Sequence, residues 1–199
     1  MWSFHRLRTQ AEYGLLSGRI AENAPTRPTT AYGAAKLGVG LLLERIAVES
    51  CRPFTWLRLF STYGPDDDPS WLIPYVVRTL LAGRKPSLTK AQQTWDYLYV
   101  DDVVDAVINS LDYSAQGIFN LGSGRGRPLK EIITLIRDLI DPTLPLGFGE
   151  VMYRTDQVMH LESNIAGLIH YARWSPKIEL EEGMLKTISW FKNQQENVF

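Results

Sequence analysis

Residues 32–60 read YGAAKLGVGLLLERIAVESCRPFTWLRLF, a pattern that predicts a helix followed by a strand. The first part, Tyr32–Ser50, is long and rich in alanine and leucine, which predicts a largely buried helix. The second part, Phe54–Phe60, is short, aromatic and apolar, as is typical of a buried strand. Helices that alternate with buried strands are characteristic of a parallel sheet covered by helices.

The same alternation continues towards the C-terminus. Apolar spacing and turn residues predict helices over 71–82, 101–111, 128–140 and 180–193, and strands over 95–100 and 117–121. On the N-terminal side, residues 1–31 predict a loop, because Pro25 and Pro28 break helices and residues 24–31 are rich in proline and threonine. The fold class is therefore α/β.

The composition is that of an ordinary globular protein. The chain has 199 residues, 45% hydrophobic residues and a formal net charge of −1, without a long run of like charge. We therefore expect neither a nucleic-acid surface nor a membrane patch. The one cysteine, Cys51, excludes an internal disulfide and a cysteine-based zinc site, and it favours a cytoplasmic location. The histidines form no metal-ligand pattern.

Tyr32 and Lys36 are the first candidate for chemistry. Residues four apart share one face of a helix, so the phenol and the ammonium point into the same space. A lysine charge beside a phenol stabilises its ionised form, which suits proton exchange with a substrate hydroxyl. The spacing alone is weak, because a tyrosine on a helix usually serves packing.

Further motifs give this pair a context. They follow in a fixed order: residues 9–14 (TQAEYG), 31–36 (AYGAAK), 57–65 (LRLFSTYGP), 95–102 (WDYLYVDD), 119–124 (FNLGSG) and 173–176 (RWSP). Together they resemble the extended short-chain dehydrogenase/reductase family, which includes the NAD(P)-dependent nucleotide-sugar epimerases, dehydratases and reductases. The resemblance covers about residues 9–192.

The resemblance implies the C-terminal part of a Rossmann-like parallel sheet plus a smaller substrate-binding lobe. Residues 9–199 would be the catalytic and substrate-binding part, in which both are intermixed, and residues 1–8 would be an atypical N-terminal segment. The family binds its cofactor on an N-terminal glycine-rich turn. Only eight residues precede Thr9, so we expect the chain to lack on the order of 100 residues of βα units. Residues 1–8 also do not read as the strand expected there.

The resemblance assigns catalytic roles to Thr9, Tyr32 and Lys36. Tyr32 would be the acid/base, and Lys36 would tune it and bind the nicotinamide ribose. Thr9 would orient the substrate oxygen, although its hydroxyl could instead satisfy a local turn. Phe60 would lie on the cofactor side, together with Tyr32 and Lys36. The cofactor would be NAD or NADP, and we expect this chain alone to bind it weakly or not at all.

The substrate side departs from the family pattern. The resemblance assigns substrate binding to Ser61, Leu72, Trp95, Arg154 and Asp156. Many relatives carry arginine at the position of Trp95, where it binds the nucleotide diphosphate, and asparagine at the position of Ser61. Trp95 cannot donate a charged fork, but it could stack on a base or sugar. Arg154 alone would read as an exposed loop cation.

Residues 10 and 11 bear on the reaction. Dehydratases of the family carry acidic residues directly after the threonine, whereas this chain has Gln10 and Ala11. The resemblance therefore favours epimerisation or 4-keto reduction of a nucleoside-diphosphate sugar, in polysaccharide biosynthesis. The alternative is a non-catalytic remnant or sugar-nucleotide binding module without cofactor. A homodimer through the helix over Tyr32–Ser50 would also fit the family.

Two other motifs are weaker. Residues 122–126 read GSGRG after a strand and before a helix, which resembles a dinucleotide-binding turn with altered spacing. The family resemblance makes this segment a structural loop after a late strand. Residues 66–68 are three aspartates, which could bind a metal but more commonly form a solvated loop.

Overall fold

A computed structural model describes residues 4–196 and has an α/β architecture. The strands are β1 (Phe4–Thr9), β2 (Gly18–Ile20), β3 (Phe54–Leu59), β4 (Ser61–Tyr63), β5 (Ser87–Leu88), β6 (Thr94–Trp95), β7 (Tyr97–Tyr99), β8 (Gly117–Leu121), β9 (Arg127–Pro128), β10 (Gly147–Phe148) and β11 (His160–Ser163). The helices are α1 (Ala31–Glu49), α2 (Leu72–Leu81), α3 (Val100–Asp112), α4 (Leu129–Ile140), α5 (Ala166–Tyr171) and α6 (Leu180–Glu196). The long predicted helices are confirmed to within a few residues. Within the described range, no helix is long and apolar enough to cross a membrane.

The main sheet is parallel and has the order β1–β3–β8. It confirms the expected remainder of a Rossmann-like sheet. The N-terminal prediction was wrong in one respect, because Phe4–Thr9 forms a strand that pairs along its whole length with β3. Parallel pairing satisfies backbone N–H and C=O groups whatever the side-chain pattern, so this strand has little signal in the local sequence. The predicted loop over residues 1–31 also contains a 3-10 turn at Gln10–Glu12 and the strand β2.

Strand β3 lies at the centre of this sheet and faces a different layer on each side. Leu57 packs into a cluster with buried residues of α3 and α5. Trp56 lies on the opposite face, against α1. A Cβ added at Gly40 of α1 would lie 2.5 Å from the Trp56 ring, so this glycine allows the helix to approach the sheet closely.

Helix α1 corrects a second prediction. It was expected to be largely buried, but its buried positions are Gly33, Gly40 and Ala47, spaced seven residues apart. Leu42 and Val48 are each 59% exposed. Small residues at every seventh position bring the helix backbone onto the sheet, and large apolar side chains such as Leu42 and Val48 therefore point outwards.

The remaining elements form a second lobe. Its core joins α2, α4 and α6 through buried residues such as Val76, Ile136 and Met184. A four-stranded sheet of order β2–β11–β6–β9 and the pairs β4–β7 and β5–β10 border it. The predicted strand over 95–100 is interrupted, because β6 and β7 belong to different sheets on either side of Asp96.

Candidate active site and substrate pocket

Tyr32 and Lys36 lie on the exposed first turns of α1. The helix begins after Thr30, whose Oγ1 accepts a hydrogen bond from the Gly33 N–H at 3.1 Å. The Lys36 Nζ lies 5.2 Å from the centroid of the Tyr32 ring, and Tyr32 is 58% exposed. The predicted shared face is therefore present, and both side chains are open to a ligand.

Thr9 ends β1 and begins the 3-10 turn. Its Oγ1 accepts from the Ala11 N–H at 3.2 Å and donates to the Gln10 side-chain oxygen at 2.6 Å. These are the local turn contacts that the sequence left open as an alternative. The turn packs against α1, since a Cβ added at Gly33 would lie 2.4 Å from the Ala11 carbonyl oxygen. The turn that follows Thr9 is thus held against the helix turn that carries Tyr32.

A buried ion pair fixes this turn to the sheet. Glu12 is fully buried, and its carboxylate accepts from the Arg58 Nε at 2.9 Å and the Trp56 Nε1 at 3.1 Å. Loss of one partner of a buried pair leaves an uncompensated charge, which costs about 3–5 kcal/mol. Sequence reasoning missed this pair, although Arg58 in the apolar stretch 54–60 was a visible signal.

The network continues to the neighbouring strands. Arg58 donates to the Tyr13 hydroxyl at 2.9 Å, and Tyr13 donates to the Asn120 side-chain oxygen at 2.7 Å. Asn120 in turn donates to the Ile20 carbonyl at 2.9 Å. Burial raises the pKa of Tyr13 above its ordinary value, so this phenol remains a neutral donor. This hydrogen-bond network holds the Thr9 turn rigidly against the neighbouring strands.

The glycine-rich loop after β8 binds a carboxylate of the chain itself. The buried Asp96 accepts from the Ser123 N–H at 2.6 Å and the Gly124 N–H at 3.0 Å, as well as from the Ser163 N–H at 2.9 Å. Successive N–H groups of this kind form an anion-binding concavity, which Asp96 here occupies. This accounts for the break between β6 and β7. The N–H groups of this loop are therefore engaged by Asp96 rather than open to another anion.

A cavity of about 270 Å³, here called the aromatic pocket, lies in the second lobe. Its wall includes Leu72 and Trp95, both predicted substrate residues, together with Trp71, Tyr75 and Tyr97. The side chains that line it are uncharged. Two buried polar atoms of its lining residues, the Gln93 Oε1 and the Trp95 Nε1, have no hydrogen-bond partner among the described residues.

The other predicted site residues lie outside this wall. Phe60 is buried against the Tyr13 ring, at a centroid distance of 6.4 Å. Ser61 begins β4 and pairs with Tyr97 of β7, so it adjoins the pocket through the backbone. Arg154 and Asp156 pair with each other at 3.1 Å on the surface. They flank the pocket in sequence, since Val151 and Gln157 line it.

The aspartates at 66–68 lie on the surface loop after β4. Asp68 accepts from the N–H and the hydroxyl of Ser70, at 2.8 and 2.7 Å, so it shapes its own loop. Across the described part of the chain, no group of three or more His, Cys, Asp or Glu side chains is arranged to hold a metal ion.

Comparison with known proteins identifies relatives along most of the chain. Two curated relatives are the CDP-abequose synthase of Salmonella muenchen and a dTDP-glucose 4,6-dehydratase of Xanthomonas campestris pv. campestris. The first is 30% identical over 68% of this chain and 47% of the relative. The second is 27% identical over 96% of this chain and 58% of the relative. The chain thus spans about half the length of these relatives.

The fold has close counterparts among solved structures. The UDP-N-acetylglucosamine 4-epimerase of Methanobrevibacter ruminantium M1, solved in complex with UDP-N-acetylmuramic acid, superposes with a TM-score of 0.88 at 22% identity. That match covers 94% of this chain and 62% of the epimerase, and it shows the fold alone. Residues 1–122 match the profile described as the NAD dependent epimerase/dehydratase family. These residues make up more than half of the chain, which therefore belongs to that family.

Proposed function

We propose that this chain carries the acid/base residues and the sugar-nucleotide pocket of an enzyme that acts on C4 of a nucleoside-diphosphate sugar. The enzyme either epimerises C4 or reduces a 4-keto group. The observation that carries the proposal is the Tyr32–Lys36 pair. The ammonium lies 5.2 Å from the phenol ring on an open helix face, next to the turn that holds Thr9.

Tyr32, Lys36 and Thr9 have different roles at the sugar. Tyr32 takes the proton of the sugar 4-hydroxyl when the 4-keto sugar forms and returns it when the hydroxyl is restored. The Lys36 charge faces the phenolate that Tyr32 presents before it takes the proton and again after it returns the proton, and Lys36 would hold the nicotinamide ribose. Thr9 turns its hydroxyl from Gln10 to the sugar oxygen. When bound, NAD or NADP supplies the hydride acceptor and donor.

The aromatic pocket holds the nucleoside end. Its uncharged aromatic wall suits stacking on a planar base, and its volume of about 270 Å³ suits one ring system with a ribose. The names of the relatives include CDP, dTDP and UDP compounds, which agrees with a nucleotide ligand of this class. Many relatives carry an arginine at the position of Trp95. An indole cannot make the bidentate contact of an arginine, so Trp95 contributes stacking instead.

Gln10 and Ala11 support epimerisation or ketone reduction over dehydration. Neither side chain can donate or accept the proton that loss of water from the sugar requires. A second candidate, a binding module without turnover, is favoured by two observations. The Thr9 hydroxyl is engaged by its own turn, and the glycine loop is filled by Asp96.

Titration calorimetry with UDP-, dTDP- and CDP-hexoses, followed by turnover assays with NAD and NADP, tests the proposal. Tyr32→Phe should lower turnover by about 100-fold or more while leaving sugar-nucleotide affinity unchanged. Tyr171→Phe, at a tyrosine of similar exposure, is the matched control. Trp95→Ala should weaken binding by about tenfold.

The outcomes separate the two candidates. Sugar-nucleotide binding without turnover in the presence of cofactor supports the binding module. Absence of sugar-nucleotide binding by the unmodified chain contradicts both candidates.

A further inference from the structure

A second cavity, of about 300 Å³, shares a wall with the aromatic pocket. Trp95 and Tyr97 line both cavities, so these two side chains separate them. Its remaining wall includes the buried side chains of Tyr63, Leu98 and Ile132. This cavity has no role in the reaction proposed above, and it differs from the aromatic pocket in its charge.

Three arginines from separate elements line this cavity, which we call the arginine pocket. They are Arg19 of β2, Arg125 of the glycine loop and Arg127 of β9. One acidic side chain, Glu179, lines it as well, which leaves an excess of two positive charges. The arginine side chains lie near solvent while the wall behind them is apolar. This arrangement suits a ligand with an anionic group and a ring.

The arginines remain available to an anion. Arg125 pairs with Glu179 at 3.1 Å, and Arg19 pairs with Glu162 at 3.5 Å. The Arg125–Glu179 pair is exposed on both sides, and exposed pairs contribute little net stability, whereas Glu162 of the other pair is 19% exposed. Arg127 makes no ion pair with any residue that the structure describes. Glu131 and Glu181 line an adjoining cleft beside Arg127, so the positive region is confined and favours a compact anion.

Two further features point to a ligand here. Arg127 lies directly opposite Trp95 in the antiparallel pairing of β6 and β9, and both residues line the cavity. The Ser175 side chain adds a hydroxyl to the same cavity.

We propose that the arginine pocket binds a phosphomonoester carried on a single ring, the chemistry shared by sugar phosphates and nucleoside monophosphates. Guanidinium groups match phosphate oxygens in bidentate geometry, and the apolar wall takes the ring. A volume of about 300 Å³ lies at the lower end for ligand pockets, so a dinucleotide is too large. The occupant contacts the same Trp95 and Tyr97 side chains that border the aromatic pocket.

The test titrates the 199-residue chain with glucose 1-phosphate and with adenosine monophosphate, and with glucose and adenosine as ligands that lack the phosphate. The double variant Arg125→Gln/Arg127→Gln should weaken phosphomonoester binding at least tenfold. Arg52→Gln, at an exposed arginine just after α1, is the matched control and should change nothing. Thermal unfolding of each variant checks that the fold is retained.

The comparison of ligands identifies the source. Tighter binding of glucose 1-phosphate assigns a sugar phosphate, and tighter binding of adenosine monophosphate assigns a nucleoside monophosphate. The double variant should still bind UDP-hexose as the unmodified chain does, which separates this site from the aromatic pocket. Phosphomonoester binding that is absent, that survives the double substitution or that equals binding of the phosphate-free ligand would overturn the proposal.

Discussion

Helices α1 and α4 are both rich in apolar residues, yet the fold uses them in opposite ways. Helix α4 is 12 residues long and buries Leu129, Ile132, Ile133 and Ile136. Helix α1 has 19 residues, and its buried positions are two glycines and an alanine. Helix α4 separates its apolar and polar residues onto two faces, whereas α1 is apolar around much of its circumference.

The difference teaches that apolar content alone does not say which side of a helix packs. In α4, the large side chains fill the core, so each contributes the burial of its own apolar area. In α1, close approach of the backbone takes the place of side-chain insertion. Gly40 admits the Trp56 ring, and the large side chains are left on the outside. The two helices should therefore respond to substitution in opposite ways.

The largest effect is expected in α4. Ile136 is fully buried, so Ile136→Ala should lower the free energy of unfolding by about 2–5 kcal/mol. Leu42→Ala in α1, at a residue 59% exposed, should change it by no more than about 0.5 kcal/mol. Urea unfolding followed by circular dichroism measures both. Equal losses at the two sites would show that α1 packs through its large residues after all.

A pair of glycines within α1 sharpens the comparison. Gly40→Ala places a methyl group against the buried Trp56 ring, and it should cost about 1–3 kcal/mol of unfolding free energy. Gly38→Ala meets no atom within 4 Å and should stabilise the helix by about 0.5–1 kcal/mol. Both changes add one methyl group, so chemical denaturation of the two variants isolates the packing term. A stabilising Gly40→Ala would contradict the close approach.

The smallest effect on stability is expected on the outer face of α1. Leu42→Gln/Val48→Gln should leave the unfolding free energy within about 0.5 kcal/mol, because both side chains are exposed. It should reduce self-association, since exposed apolar patches of this kind are sites of protein contact. Sedimentation velocity compares this variant with Leu185→Gln on α6, a similarly exposed residue. Unchanged sedimentation would show that copies of the chain do not associate through this face.

Much of the fold could be predicted because the spacing of apolar residues within an element can be read without knowing its tertiary neighbours. Helices α2, α3, α4 and α6 and strands β3 and β8 lie where apolar spacing and turn residues placed them. Strand β1 was not predicted, because it is formed by pairing with β3 and its own side-chain pattern does not indicate a strand. The interruption between β6 and β7 at Asp96 was not predicted for a similar reason. The hydrogen-bond partners of Asp96 lie 27 and 67 residues away in the chain.

The site was predicted in part. The spacing of Tyr32 and Lys36 fixes their shared face on any helix, and the structure has that geometry. Leu72 and Trp95 were assigned by resemblance, and they meet in the aromatic pocket. Arg154 and Asp156 form an ion pair with each other, which the sequence pattern did not predict. The roles of these residues in binding and catalysis remain predictions for the experiments above.

By itself, the sequence determined the α/β class, the order of the long elements and the face that Tyr32 shares with Lys36. These depend on local spacing and on steric rules that act over a few residues. Only the tertiary structure decided which face of α1 packs, where Glu12 finds Arg58 and what fills the glycine loop. These depend on partners distant in sequence, because a buried charge or N–H group must find its complement wherever the fold brings one.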